Sequence, residues 1–230
     1  MKNISKRKIK TGDSKRIINE ITKEFNFLIE RLIDRNICLD HVPFSINNNG
    51  NIIEITRSDR KNESNILYDS TKTVDEMMEI LLKKSEYNLL MYDKGIIQFE
   101  LMIENGEIIK ERFIYINKQN GMYNIEQIKK MENDENNVDW YEEINGIPVL
   151  IRMDYDKVYD EDSIHPMSHF TISNCDCCRI PMKGPMSISM FVNFILNMFY
   201  NDNVDGIKTI YDKKETLKKC DKDKLYLYWN

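Results

Sequence analysis

The sequence predicts an α+β fold: a central antiparallel sheet with an N-terminal helix and a buried C-terminal helix. Three observations favour this fold class. Strand-like segments dominate the middle of the chain, helical periodicity marks both ends, and Asn105–Gly106 between two extended segments is a strong hairpin signal. The pattern shows no regular alternation of strand and helix, which a parallel sheet would require.

Length and composition predict one domain. The chain has 230 residues, of which 41% are hydrophobic, and this is enough for one substantial core. The sequence contains no internal repeat and no linker rich in Pro, Gly or Ser. We therefore expect a flexible basic arm over residues 1–13 and a single α+β domain over residues 14–230. No segment approaches ~18 consecutive apolar residues, so we expect no membrane span.

Charge is distributed unevenly along the chain. The formal net charge is -5, yet residues 2–16 carry seven Lys and Arg against one Asp. The rest of the chain is therefore strongly acidic and repels phosphate backbones. We expect nucleic-acid binding, if it occurs, only through the basic residues 2–16.

The cysteines favour a reducing compartment. The chain has five Cys, an odd number, and three of them are crowded into Cys175, Cys177 and Cys178. The first residues contain no apolar stretch typical of a secretory signal. These features predict a cytoplasmic protein with reduced thiols.

Helical periodicity identifies the first two helices. A helix is predicted over residues 14–35, capped by Asp13 or Ser14. Its apolar residues recur at helical spacing: Ile17, Ile18, Ile21, Phe25, Leu28 and Leu32. A short helix is predicted over residues 74–84, capped by Thr73 or Asp75, and a weaker one over residues 125–131.

Extended segments follow these helices. Residues 44–56 are predicted to be extended, with a turn at Asn47–Gly50, and residues 95–104 and 107–116 form the hairpin about Asn105–Gly106. A two-residue loop would place Glu100 opposite Glu111. A three-residue loop places Glu100 opposite Lys110, which we favour because unlike charges attract.

The C-terminal half contains two further strands, a strongly apolar helix and a strand-like tail. Residues 148–155 alternate so that Arg152, Asp154 and Asp156 share one face of a strand, and residues 168–173 form the next strand. Residues 187–200 predict a helix that is apolar on nearly all sides. Such a helix is either a central core element or part of an oligomer or partner interface. The tail, residues 224–229, alternates like a last strand.

Two histidines, His165 and His169, flank a Pro and lie close to several polar side chains. Arg152 and Asp154 lie on the strand upstream, and a tight turn after residue 173 would bring Arg179 back beside His169. Histidine moves protons at neutral pH and arginine holds phosphate in a bidentate fork. These five residues are our candidate catalytic set. The alternative is that His169 and Arg179 satisfy buried polar groups in a structural network.

Two metal sites are weaker alternatives. The ligand types suit zinc at His165 and His169 together with Cys175, Cys177 or Cys178. However, the spacing lacks a second paired arm of ligands. Asp154 and Asp156 share a strand face, as magnesium ligands would, but the Lys or Glu that nuclease sites usually add is missing, since Lys157 points the other way. We therefore expect no metal and no cofactor.

Several short motifs in the second half of the chain carry a family resemblance. These are His165-Pro-Met-Ser-His169, Arg179-Ile-Pro181, Phe191-Val-Asn-Phe194-Ile195 and Phe199-Tyr200, preceded by Arg152-Met-Asp154. The chain resembles a prokaryotic family known only as domain of unknown function 2290. The resemblance brings no established activity. It implies a cytoplasmic protein of bacteria or archaea, of a kind often found among accessory, defence and toxin-like genes.

Two functions follow from these observations. The first is a binding or accessory module that acts with a partner protein, or as a homo-oligomer, through the helix 187–200. The second is a small metal-independent hydrolase, similar to a ribonuclease or phosphodiesterase. In that hydrolase His165 and His169 would be the acid–base pair, and Arg152 and Arg179 would hold the phosphate.

Overall fold

The fold was obtained as a computed structural model. It describes residues 11–57, 66–69, 71–119, 126, 127, 130, 146–159, 165–173, 178–206, 215–222, 226 and 227. The helices in this part of the chain are α1 (Thr11–Asp34), α2 (Val74–Lys83), α3 (Ile188–Ile195) and α4 (Lys219–Lys222), with a 3₁₀ turn at Ile66–Tyr68 and a π-helical turn at Leu196–Tyr200. The strands are β1 (Cys38–His41), β2 (Ser45–Asn49), β3 (Ile52–Thr56), β4 (Leu89–Met91), β5 (Ile96–Glu104), β6 (Glu107–Gln119), β7 (Ile147–Asp156), β8 (Ser168–Ile172) and β9 (Arg179–Pro181).

The described strands form one antiparallel sheet. Its main order is β1-β4-β5-β6-β7-β8-β9, and the hairpin of β2 and β3 adds to the other end of β5. All named strand pairs are antiparallel. The predicted α+β class, with an N-terminal helix and a C-terminal helix on a central antiparallel sheet, is confirmed.

The two N-terminal helices confirm the periodicity argument. Helix α1 begins at Thr11, within the predicted arm, and ends at Asp34. Residues 1–10 lie outside the described residues, so the flexible arm stays a prediction. Helix α2 is capped by Thr73, whose side chain accepts a hydrogen bond from the Glu76 amide. The Glu76 carboxylate in turn accepts from the Thr73 amide.

The central hairpin confirms the turn and corrects the register. Asn105 and Gly106 have φ of 54° and 76°, the left-handed values that a two-residue hairpin turn requires. Glu104 therefore lies opposite Glu107, and the three-residue loop that we favoured is wrong. A bulge at Ile109 then shifts the pairing, so that Glu100 lies opposite Arg112 rather than Glu111 or Lys110. The Ile109 carbonyl, turned out of that pairing, accepts from the Lys157 amide at 3.0 Å.

Each face of the sheet carries its own core. On one face, α1 and α3 bury rings and aliphatic side chains against β5 and β6, with Phe99, Phe113 and Phe191 in mutual contact. On the other face, α2 covers a smaller apolar cluster that includes Ile114 and Leu150. Beside that cluster, the same face carries charged residues of β5 to β8, of which those on β7 and β8 are buried, and this is where the predicted site lies.

The apolar helix over residues 187–200 lies mainly in the core. Ser187 caps α3. The most buried apolar residues of the segment 187–200 are Ile188, Phe191, Val192, Ile195 and Leu196. The last five residues form a π-helical turn that ends at Asn201 in the left-handed conformation. Only Asn197 and Met198 are exposed. A core helix is therefore what the packing favours, and its use by a partner stays a prediction.

Some sequence-based expectations fall outside the described residues. Only Tyr226 and Leu227 of the predicted tail strand are described, and Leu227 makes a single parallel bridge with Met182. Of the predicted helix 125–131, only residues 126, 127 and 130 are described, and the turn at 174–177 is not. In the described part of the chain, no helix is both long and apolar enough to cross a membrane.

Candidate functional site

Strands β7, β8 and β9 bring four of the five predicted site residues onto one face of the sheet, and His165 precedes β8. Asp154 lies directly across from His169, and Arg152 lies across from Thr171. Thr171 in turn lies across from Arg179, which confirms that the chain doubles back after residue 173. The two-residue alternation of side chains along each strand then places these groups on the same side.

Asp154 is the centre of this cluster. Its Oδ1 accepts from Arg112 Nε at 2.8 Å, and its Oδ2 accepts from Arg152 Nε at 2.6 Å. Burial alone would raise the pKa of Asp154, but the Arg112 and Arg152 guanidinium groups lower it below its ordinary value. The carboxylate is therefore ionised at neutral pH and already holds two cations.

His169 completes the cluster as a neutral ring. Its Nδ1 lies 3.0 Å from the Pro166 carbonyl oxygen, which can only accept, so Nδ1 carries the proton. Its Nε2 lies 3.6 Å from Asp154 Oδ2. Burial lowers the pKa of His169 to about 4, against the opposing attraction of Asp154. A neutral imidazole with a bare Nε2 is chemically able to accept a proton.

His165 and Arg179 lie at the more accessible rim. The His165 and His169 rings meet edge to face, with centroids 4.8 Å apart. His165 Nδ1 lies 3.1 Å from the Tyr159 carbonyl oxygen. Both His165 and Arg179 are half-buried, whereas His169, Asp154 and Arg152 are only 2%, 5% and 8% exposed.

A row of polar side chains, in which Glu100, Arg112 and Asp154 alternate in charge, continues from this cluster across the sheet. We call it the charge row: Glu100, Arg112, Asp154 and His169, which lie side by side on β5, β6, β7 and β8. Arg57 extends it, donating to Glu100 at 3.1 Å and to Glu86 at 3.2 Å. The sequence analysis missed Arg57, Glu86 and Glu100 as members. Only Glu100 left a signal, as a single charge within the apolar residues 96–103, whereas Arg57 and Glu86 lie in polar stretches.

The two metal alternatives fare differently. Asp156 is paired with Lys110 at 2.9 Å and Asp154 with two arginines, so the carboxylates predicted for magnesium are already neutralised. Within the described ranges, no group of three or more His, Cys, Asp or Glu side chains is placed to hold a metal ion. Cys178 is half-buried with a free thiol, while Cys175 and Cys177 lie outside those ranges. The zinc alternative is therefore not tested.

A second surface feature is a groove between α1 and β1, which the sequence analysis did not identify. We call it the α1–β1 groove. It has a volume of about 490 Å³ and is lined by Lys23, Asn26, Phe27, Ile29, Glu30, Ile33, Asp34 and His41. Ile33 and the neighbouring Leu39 of β1 are 47% and 46% exposed. Among the described strands, β1 pairs only with β4, so it is an edge strand.

The α1–β1 groove had a weak sequence signal. Phe27 and Ile33 lie beside the buried stripe of α1 rather than within it, which leaves apolar side chains on a surface that ordinarily carries polar ones. Arg31 covers part of the Phe27 ring, with its guanidinium carbon 5.1 Å from the ring centroid. The rest of the groove stays open to solvent.

The comparisons with known proteins agree with the resemblance of the motifs. The family model described as "Uncharacterized conserved protein (DUF2290)" matches residues 37–227. No curated protein and no solved structure matches the chain significantly. The matched region contains the whole sheet, the charge row and all five predicted site residues, and it leaves out α1. Because the match covers well over half of the sequence, the chain belongs to the DUF2290 family of uncharacterised conserved proteins.

Proposed function

We propose that this protein is a cytoplasmic binding module that acts with a partner protein, and that it binds an extended segment of that partner in the α1–β1 groove. The observation that carries this proposal is a groove that presents Phe27 and Ile33 among polar residues beside an edge strand. An edge strand presents unpaired backbone groups to which another chain can add a strand. The adjacent groove supplies pockets for alternate side chains of that added strand.

The chemistry of the groove indicates the kind of segment it accepts. Phe27, Ile29 and Ile33 offer apolar contacts, while Lys23 and Glu30 supply charged groups beside them. This combination of an apolar centre and a charged rim is typical of protein-binding surfaces. The partner segment is therefore extended, with apolar residues at every second position. By contrast, the helix 187–200 exposes only Asn197 and Met198, which favours the groove as the partner surface.

A display library of random extended peptides, selected on the full chain, tests this proposal. Selected peptides should show alternating apolar residues and should lose at least ~10-fold in affinity on an Ile33→Lys variant, because a charge enters the groove centre. Ile172→Lys is the matched control, since Ile172 on β8 is 49% exposed against 47% for Ile33. It should bind the peptides as the wild type does.

Two outcomes would contradict the proposal. One is the failure to enrich any peptide, or equal binding of the enriched peptides by wild type and Ile33→Lys. The other is a dimer, measured by light scattering, that Ile33→Lys abolishes and Ile172→Lys leaves intact. That dimer would show that the groove is occupied by a second copy of this chain rather than by another protein.

The second candidate function is the metal-independent hydrolase. Two observations favour it: the His165 and His169 rings are in contact, and Arg179 lies on the adjacent strand. In this function His169 Nε2 accepts a proton, His165 supplies one, and Arg179 with Arg152 holds the phosphate. The burial of three of the five residues favours the binding module over this alternative.

Incubation with labelled RNA, DNA and nucleotides tests the hydrolase. Activity that His165→Ala abolishes and His41→Ala preserves would support it, because His165 is at the rim and His41 is exposed on β1. If the wild type turns over none of these substrates, the cluster is a structural network only. A variant in which the Lys and Arg residues of 2–16 are replaced by neutral residues tests nucleic-acid binding by this basic segment. If the prediction is correct, the wild type binds RNA or DNA with an affinity that falls as salt rises, and the variant loses this binding.

A further inference from the structure

Two glutamates are buried in the main core between α1, β6 and the start of α3. Glu24 and Glu111 are only 4% and 2% exposed. Glu24 Oε1 accepts from the Ser189 amide at 2.9 Å and from the Ser189 hydroxyl. Glu111 Oε2 accepts from the Met186 amide at 3.2 Å. The two carboxyl groups therefore hold the segment that leads into α3.

Among the described residues, no cation accompanies these carboxyl groups. In the described part of the chain neither Glu24 nor Glu111 takes part in an ion pair with Lys, Arg or His. Glu24 Oε2 and Glu111 Oε1 are both buried without a hydrogen-bond partner. Two ionised carboxylates in such a place would be strongly unfavourable, because each loses its hydration and they repel each other.

The polar groups that the structure describes beside the pair are uncharged at neutral pH. From α3 and its cap come the Ser187 and Ser189 hydroxyls, which lie 3.1 Å apart. Tyr155 of β7 lies directly across from Glu111. The pKa of Tyr155 is raised to about 12 by burial and by nearby carboxylates that include Glu111. Burial raises the pKa of Glu24, and burial together with the nearby Glu24 raises the pKa of Glu111 well above its ordinary value.

We propose that Glu24 and Glu111 share a proton in the folded protein and that this protonated pair holds α1 and the start of α3 against the sheet. A protonated carboxyl group has one O–H donor, which an ionised neighbour with an unpartnered oxygen accepts. Removal of the proton leaves two like charges in the core, so rising pH loosens this contact. The pair joins α1, which lies outside the family-matched residues 37–227, to β6 and α3, which lie inside them.

The sign of the pH effect follows from proton linkage. In the unfolded chain both glutamates ionise near pH ~4.3, whereas in the folded protein their pKa values are raised. The folded protein therefore binds more protons than the unfolded chain above that pH. The stability that the pair contributes is fully present at low pH and is lost as pH rises through the folded-state pKa values.

Substitution by glutamine, which has the shape of a protonated glutamate, tests this inference. We would compare the Tm of the full-length wild type, Glu111→Gln and Glu24→Gln from about pH 5 to about pH 9. Each variant should gain in Tm relative to the wild type as pH rises, by ~2 °C or more at the upper end. Glu30→Gln, an exposed position on α1, is the matched control and should follow the wild type throughout.

Carboxyl ¹³C NMR of glutamate-labelled protein gives a second measurement, which does not depend on the variants folding. It should show a glutamate carboxyl that is still protonated above pH ~6, outside the ordinary range. Ionisation of every glutamate below that pH would overturn the proposal, as would variants whose Tm runs parallel to the wild type. A rise in wild-type Tm with Ca²⁺ or Mg²⁺, absent in both variants, would also overturn it, because a cation would then occupy the pair.

Discussion

Asp154 and His169 lie directly across from each other on β7 and β8, with Asp154 Oδ2 3.6 Å from His169 Nε2. This pairing joins the Arg-Met-Asp and His-Pro-Met-Ser-His motifs of the sequence in one cluster. Asp154 holds Arg112 and Arg152, while His169 is anchored by its own bond to the Pro166 carbonyl. The pairing of β7 and β8, rather than a hydrogen bond between the two side chains, therefore fixes the relative position of the two motifs.

The first prediction concerns the removal of the charge of Asp154. Asp154→Asn removes the anion shared by the half-buried Arg112 and the buried Arg152, so we expect a loss of ~3–5 kcal/mol in the free energy of unfolding. Urea denaturation measures it. Asp75→Asn is the control, because Asp75 is 57% exposed and its pair with Lys118 at 3.3 Å should contribute under ~1 kcal/mol. Equal losses in the two variants would contradict the central role of Asp154.

The second prediction concerns the pH dependence that His169 imparts. Its pKa in the folded protein is lowered from 6.5 to about 4, so between these values the unfolded chain binds the proton more readily. The free energy of unfolding of the wild type should therefore fall by up to ~3 kcal/mol as pH falls through this range. The free energy of unfolding of His169→Gln, measured by urea denaturation, should fall by correspondingly less across the same range.

The exposed His41→Gln is the control for this second prediction. Because the buried His169 is intact in that variant, it should keep the wild-type pH dependence. If His169→Gln and the wild type show the same slope, the pKa of His169 does not change on folding. In that case the attraction of Asp154 balances the cost of burying the charged ring.

Local sequence signals predicted most of the fold. Asn105–Gly106 marked the hairpin because only a few residue types adopt two successive left-handed conformations. The register escaped prediction, since the bulge at Ile109 depends on how β6 pairs with β7 as well as with β5. The faces of β7 were predicted from alternation, and the turn after residue 173 then placed Arg179 across from Thr171.

The missed residues are those whose partners are far away in sequence. Arg57 pairs with Glu100, 43 residues further along the chain, and nothing near Arg57 indicates this. Glu24 and Glu111 did leave a signal. Glu24 lies three residues after Ile21 and four before Leu28, on the buried stripe of α1, and Glu111 shares the core-facing side of β6 with Phe113. A carboxyl group on an apolar face predicts burial, although not its partner.

The third prediction compares two glycines with the same backbone conformation. Gly106 and Gly50 have φ of 76° and 65°, so alanine is strained at both, by ~1–2 kcal/mol. A methyl group at Gly50 meets nothing within 4 Å, whereas at Gly106 it lies 2.7 Å from Asp13 Cβ of α1. Gly106→Ala should therefore cost more than Gly50→Ala in thermal unfolding. Equal costs would mean that α1 does not press against the hairpin turn.

The fourth prediction concerns Asn193, one of three polar residues on the otherwise apolar α3 and its π-helical continuation. Asn193 Nδ2 donates to the Val204 carbonyl at 3.0 Å, and its Oδ1 accepts from the Val204 amide at 2.7 Å. Val204 is only 2% exposed, so water does not readily replace these bonds. Asn193→Leu leaves both backbone groups unpaired and should cost ~1–3 kcal/mol in urea denaturation, despite making the helix more apolar.

Asn197→Leu is the matched control for Asn193→Leu, one turn further along the same stripe. Asn197 is exposed, and its side chain donates only to the Asn193 carbonyl at 2.8 Å, so leucine there should change stability by no more than ~0.5 kcal/mol. Hydrogen exchange at the Val204 amide gives a local reading: it should accelerate in Asn193→Leu and stay at the wild-type rate in Asn197→Leu. If Asn193→Leu is instead neutral and Val204 stays protected, the loop after the π-helical turn is held by other contacts, chiefly the Arg35 bond to Asp202 at 2.7 Å.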